Sequence, residues 1–200
     1  TLHGLCQRIL ENHALDIGLP NNFKLLNQTE SCLLVRQNIE KFSLDYYRPL
    51  GNPTKFIHAI IKHFQKCKDE LVTPQNYLEY AQSLNLDSDL EPSKKKKNKT
   101  QDSGEDTSLE IKRINELAEA YHRYNQLLLD NSSLDFADLI FYTFKLLKER
   151  PNVLRFYQNK FRYILVDEFQ DTNYSQYELI KLLAQNDRIK LTVVGDDDQS

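Results

Sequence analysis

The chain has no methionine, no tryptophan, three cysteines and five glycines among its 200 residues. It opens Thr1-Leu2-His3, and with no methionine anywhere it is expected to be a segment of a longer protein. Cys6, Cys32 and Cys67 are odd in number and widely spaced, which argues against a disulfide framework and suits a reducing compartment. There is no CxxC pair, so no structural zinc site is expected. His63 and Cys67 stand four apart, a spacing better explained by one turn of a packed amphipathic helix than by a metal pair. No apolar run approaches the length needed to cross a bilayer, and no N-terminal stretch has signal-peptide form.

What is present fits a globular chain. Forty per cent of residues are hydrophobic and 28% charged, enough for a real core in one domain or two small ones. Collagen-like and wholly disordered classes are excluded. The net charge of −3 argues against a generic nucleic-acid binder if charge is judged only in total.

Most of the chain has helical period. Leu2, Leu5, Cys6, Ile9 and Leu10 share one face. Thr29 is placed to cap a second helix with Val35, Ile39, Phe42 and Tyr46 on one stripe. Pro53 suits a first helical position ahead of Phe56, Ile57, Ile60, Ile61 and Phe64. Thr73-Pro74 is a further cap-and-first-turn signal. Residues 87–107 hold the run Lys94-Lys95-Lys96-Lys97 with Lys99 and flanking acids, too little apolar surface to repay ordering, and are expected to form a mobile loop. Thr107-x-x-Glu110 has capping-box form, leading into Ile111, Ile114, Ala118, Tyr121 and Leu128. Asp135 is placed to cap a helix that ends before Pro151.

After Pro151 the pattern changes. Residues 161–166 (FRYILV) and 191–194 (LTVV) are short apolar runs of strand length, with a helix expected over 174–186. Strand, helix, strand is a βαβ unit and implies a parallel sheet. Near-continuous apolar strands suit a sheet covered by helices on both faces.

Each strand runs into carboxylates: Asp167-Glu168-Phe169-Gln170-Asp171-Thr172-Asn173 after the first, Gly195-Asp196-Asp197-Asp198-Gln199-Ser200 after the second. Ligands of open parallel sheets bind at the carboxyl ends of strands, and carboxylates gathered there call for a cation. Mg²⁺ fits, because it takes one or two carboxylates and fills its shell with waters and phosphates. An apolar strand ending in Asp is how a Walker-B element presents its carboxylate, and the adjacent Glu is placed to orient or deprotonate a water. Such a pair alone is weak evidence, since Asp171 or Thr172 also suits a helix cap. Gln199, 32 positions beyond Asp167, lies one crossover away and is placed to sense a γ-phosphate.

DEFQDTN at 167–173 followed by VVGDDDQS at 193–200 resembles motifs II and III of the UvrD/PcrA/Rep DNA helicases of superfamily one. TLHGLCQRIL at 1–10 and LDFADLI at 134–140 resemble two further elements of that family, in the same order, although most of residues 20–130 agree only in helical character. Leu2 stands where the family usually has Phe, and Ala137 where a second Asp is common. The resemblance implies an α/β, P-loop NTPase (RecA-like) parallel-sheet core with a large all-helical insertion: core over 1–19, insertion over 20–131, core again over 132–200. It implies an ATP-dependent 3′→5′ helicase that moves on single-stranded and duplex-junction DNA in repair, replication or recombination, cytoplasmic and, if bacterial, nucleoid-associated. A RecB/AddA-like helicase–nuclease subunit and a non-catalytic DNA- or protein-binding module are the alternatives.

By the same resemblance ATP and Mg²⁺ are the cofactors. Asp167 binds Mg²⁺, Glu168 activates the hydrolytic water, and Gln199 contacts the γ-phosphate and links nucleotide state to DNA. Asp196 supports Mg²⁺, Gln170 steadies the nucleotide site, and Thr1 and His3 lie near single-stranded DNA, with His3 equally readable as a packed helix residue. Asp135 and Asp138 are expected to cap their helix and brace the site; Phe136, Tyr121 and Tyr124 suit core packing more than base stacking. No Gly-Lys-Ser/Thr occurs, so the Walker-A loop and the second RecA-like domain are expected from the rest of the same polypeptide, and this segment alone is expected to be inactive. Asp167, Glu168, Asp171, Asp196, Asp197 and Asp198 are six of the 29 acids; apart from them the acids no longer outnumber the 26 Lys and Arg, so the total charge does not speak against DNA.

Overall fold

The computed structural model describes residues 1–90, 102–186 and 188–196, with side chains left aside at 87–90 and 102–106. It is mostly helical, with two small parallel sheets. The chain divides into two compact units, Thr1–Asn27, Gln65–Leu71 and Ser132–Ser200 in one, Gln28–Phe64 and Val72–Asn131 in the other. Among the described residues, no helix is long and apolar enough to cross a membrane.

In the first unit, helix α1 (Leu2–His13) is capped by Thr1, whose side chain accepts from Gly4 N, and buries Cys6, Ile9 and Leu10. It packs against α6 (Phe136–Glu149), where Thr143 Oγ1 donates to Cys6 O at 3.4 Å. Each aliphatic side chain fully buried in such a contact contributes roughly 1.5–3 kcal/mol. Asp135 caps α6 as expected, in a reciprocal capping box with Asp138. Pro151 does more than end that helix: it sits at the start of α7 (Pro151–Lys160), where its missing N–H costs nothing. Strand β1 (Lys24–Leu26) pairs in parallel with β2 (Ser133–Asp135); three residues are too few to show periodicity in sequence. Strand β3 (Tyr163–Val166), helix α8 (Tyr174–Ala184) and strand β4 (Lys190–Val193) form the expected parallel βαβ unit, with Tyr163 opposite Lys190 and Val166 opposite Val193.

Among the described residues, the cover expected on both faces of the sheet is present on one face of β3. Tyr163 and Leu165 point outward, 64% and 78% exposed, and Leu191, Val193 and Val194 are exposed as well. Ile164 and Val166 alternate with them and are half-buried, so helices cover one face of β3 only.

In the second unit, helix α2 (Gln28–Gln37) is followed by a 3₁₀ turn over Ile39–Lys41. Thr29 therefore lies inside the helix instead of capping it, and the expected stripe through Tyr46 is broken. The break falls at Asn38, whose Nδ2 donates back to Leu34 O at 2.9 Å, a local bond that competes with helix propagation. Helix α3 (Ile57–Asp69) begins four residues after Pro53, with residues 53–56 in a turn. Helix α4 (Pro74–Leu90) starts as expected, with Thr73 Oγ1 accepting from Asn76 N at 3.0 Å.

Helix α5 (Asp102–Asp130) starts five residues before Thr107. Thr107 is therefore an interior residue and not the cap. The stretch expected as a loop is thus helical at both margins; residues 91–101, including the lysine run, lie outside the described residues. The core gathers Ile57, Ile60, Ile61, Phe64, Ala118, Tyr121 and Tyr124. Phe64 stacks on Tyr121 at 5.0 Å, and Tyr121 Oη donates to Val72 O at 3.0 Å. Tyr121 and Tyr124 are core residues, as their spacing suggests.

Candidate functional site

Backbone bonds zip the two strand ends together. Val194 N donates to Val166 O at 2.8 Å and Phe169 N to Val194 O at 3.0 Å, so the turn after β3 lies against the turn after β4. At that corner Glu168 adopts φ 53° and ψ 47°, the left-handed region that costs a residue with a Cβ about 1–2 kcal/mol. Backbone outliers of this kind collect at functional sites.

The side chains continue the link. Asp167 Oδ1 accepts from Glu168 N at 3.1 Å. Gln170 Nε2 donates to Glu168 Oε2 at 2.7 Å while its Oε1 accepts from Asp196 N at 3.1 Å. One amide thereby connects the two motifs. A Cβ at Gly195 would sit 3.1 Å from Gln170 Oε1, so the approach favours glycine there.

Asp167 and Glu168 rim a cavity of about 440 Å³ with Asp171, Thr172, Gln176 and Thr1. Ile164, Val166, Leu5 and Ile180 form its apolar wall. Thr1 thus joins the carboxylates. His3 does not line this cavity; its ring meets Phe136 edge-on at 6.3 Å, and burial holds its pKa below the ordinary value. Phe136, expected in the core, is 48% exposed. Asn173, not Asp171 or Thr172, caps α8, accepting from Gln176 N at 2.9 Å. Asp197, Asp198 and Gln199 lie outside the described residues.

Among the described residues, no three His, Cys, Asp or Glu side chains converge as a metal cage. The residues present nonetheless suit Mg²⁺. Asp167 and Glu168 each spend one oxygen on a neighbour, which leaves hard oxygen donors at the rim. This cation needs only one or two carboxylates and completes its shell with water and phosphate.

The same unit holds a buried constellation that is only half legible in the sequence. Lys68, 1% exposed, places Nζ 2.8 Å from Asp135 Oδ2 and 2.7 Å from Asp138 Oδ1. The capping carboxylates were legible; their cation was not. Burial first, then Asp135, pushes the Asp138 carboxyl up from its ordinary value.

The chain matches the UvrD/REP helicase N-terminal domain over residues 1–200. It is similar to the ATP-dependent DNA helicase PcrA of Staphylococcus epidermidis, 36% identical over 200 residues, and to the ATP-dependent DNA helicase PcrA of Staphylococcus aureus, 35% identical over 200 residues. In both cases the match covers all of this chain and 23% of the relative. The chain therefore spans about a quarter of the length of these curated relatives.

Proposed function

The chain belongs to the UvrD/REP helicase family, and from that premise we propose that it is part of an ATP-dependent DNA helicase that moves 3′→5′ on single-stranded DNA in repair, replication or recombination. Residues 1–19 and 132–200 contribute to a RecA-like core, and residues 20–131 form its helical insertion. The working location is the cytoplasm and, in a bacterium, the nucleoid.

Asp167 is the residue that would hold Mg²⁺. Mg²⁺, when bound, neutralises charge on the phosphates of ATP. Glu168 takes a proton from the attacking water, and Gln170 keeps that carboxylate aimed by its 2.7 Å bond. Asp196 supports the metal side of the corner. Gln199 reports the γ-phosphate to DNA, and Thr1 and His3 meet DNA phosphates. The Walker-A loop and the second RecA-like domain come from the rest of the same polypeptide, and the 200 residues alone hydrolyse no ATP.

The observation that carries this reading is the pairing of Asp167 and Glu168 on the rim of one cavity at the carboxyl end of β3. The test is Glu168→Gln in the whole helicase. Loss of a general base lowers turnover by roughly 10²–10⁴-fold, while ATP binding survives. Near-normal turnover sinks the assignment.

A further inference from the structure

The β3–β4 sheet has a chemical polarity that the ATP site does not use. Its carboxyl ends carry the acids, and its amino ends are basic. Residues 151–166 hold Arg155, Lys160 and Arg162 with no Asp or Glu, and residues 187–194 hold Arg188 and Lys190 against the single acid Asp187. This is unexpected in a chain with more acids than bases. At that end lies a concavity of about 460 Å³, lined by Arg162, Arg188 and Lys190 with Gln158, Asn159 and Tyr163. Among the described residues no carboxylate lines it, and none of the three cations forms an ion pair with one.

The backbone holds these groups in place. Tyr163 is in register with Lys190, and Lys190 N donates to Arg162 O at 3.0 Å. Gln158 Nε2 donates to Leu182 O at 3.1 Å, which fixes the amide and leaves its oxygen as an acceptor. An aromatic ring stands beside the cations: Tyr163 is 64% exposed with Lys190 Nζ 6.0 Å from its centroid.

We propose that this pocket is a second nucleic-acid contact, separate from the carboxylate cavity, in which Arg162, Arg188 and Lys190 take backbone phosphates and Tyr163 stacks on a base. Planar guanidinium groups match phosphate oxygens in pairs. An exposed ring beside them gives a base a stacking surface worth about 1–3 kcal/mol, whereas an acidic peptide has no use for it. The proposal stands on this geometry and not on the ATPase reading.

The experiment is photocrosslinking of single-stranded DNA carrying 4-thiothymidine to the whole protein, with cross-linked peptides mapped by mass spectrometry. Binding is followed by fluorescence anisotropy across a salt series. Cross-links are expected at Tyr163, and they disappear in Tyr163→Ala and in Arg162→Gln/Lys190→Gln, with the circular dichroism spectrum unchanged. Each single-strand phosphate contact contributes about 0.7 to the slope of log affinity against log salt, so the double variant should lower that slope by about 1.4.

An unchanged slope with unchanged cross-links overturns the proposal. So does competition by poly-glutamate as effective as by DNA, which would mark a peptide site. Competition by inorganic phosphate alone at matched phosphate concentration, without cross-links, would mark a free-phosphate site and overturn it as well. ATP turnover without DNA is read in parallel: its absence in the unsubstituted protein counts against the ATPase reading, while the cross-links still decide this one.

Discussion

Asn173 Nδ2 donates to Asp69 Oδ1 at 2.8 Å, joining the cap of α8 to the last residue of α3. The same amide accepts from Gln176 N at 2.9 Å and from Ser175 Oγ at 3.0 Å. One side chain therefore starts the helix and anchors the loop that leaves the carboxylate corner. Asp69→Ala leaves Nδ2 without its acceptor. A hydrogen bond to a charged group is worth about 1.5–3 kcal/mol, so urea denaturation should show a loss of that order. An unchanged midpoint with an unchanged slope would mean that the contact contributes nothing.

Lys68 sits between two buried carboxylates, so Lys68→Met should be among the most damaging single changes in the chain. Removing one partner of a buried ion pair costs about 3–5 kcal/mol, because the remaining charge is left uncompensated. Equilibrium unfolding measures it. A loss below about 1 kcal/mol would show that Asp135 and Asp138 shed their charge without penalty.

Asp138 gives that cluster a pH signature. Its carboxyl is raised in the folded state above the ordinary 3.8, first by burial and then by Asp135. Between 3.8 and about 7 the folded chain binds more protons than the unfolded one, so this group's contribution to stability falls as pH rises through that window. Unfolding free energies of the unsubstituted chain and of Asp138→Asn, measured from pH 4 to 8, should differ in slope on the acid side. Parallel curves would refute the raised value.

Much of this was legible in the sequence, for identifiable reasons. The capping box at Asp135, the Thr73-Pro74 start and the parallel β3–β4 pair rest on local chemistry that neighbours in sequence supply. Lys68 was hidden because its partners lie more than sixty positions away and nothing in α3 marks one lysine among several. The exposure of Tyr163 and Leu165 among these residues is not legible because an apolar run reads the same whether a helix covers it or not. The sequence marks Gln170 only as support for the site. That it joins both strand ends depends on the left-handed turn at Glu168, which no residue pattern announces.

The helical unit offers a test free of any functional assumption. Glu116 Oε1 accepts from Asp45 N at 2.7 Å and Tyr47 N at 3.0 Å, while Oε2 accepts from Tyr46 N at 3.2 Å. Three consecutive amides close on one carboxylate, and Arg113 lies 4.0 Å over the Tyr46 ring beside them. Glu116→Ala should release residues 45–47. Faster amide hydrogen exchange at these positions, with helices α4 and α5 still protected, is the expected result. Uniform exchange across the unit would mean that Glu116 supports the core instead.

Glu168 allows function and stability to be separated at one position. Its φ of 53° is a conformation glycine adopts without penalty, while any side chain with a Cβ strains there. Glu168→Ala and Glu168→Gly both lose the carboxylate and its bond from Gln170, so both should abolish ATP turnover in the whole helicase. They should differ in stability. Relief of about 1–2 kcal/mol of left-handed strain is offset by about 0.5–1 kcal/mol of extra chain entropy for glycine, which leaves the Gly variant more stable by up to about 1.5 kcal/mol. Thermal unfolding of the two variants side by side measures this difference. A more stable Ala variant would mean that residue 168 does not hold the left-handed turn in solution, and the geometry that aims Glu168 through Gln170 would fall with it.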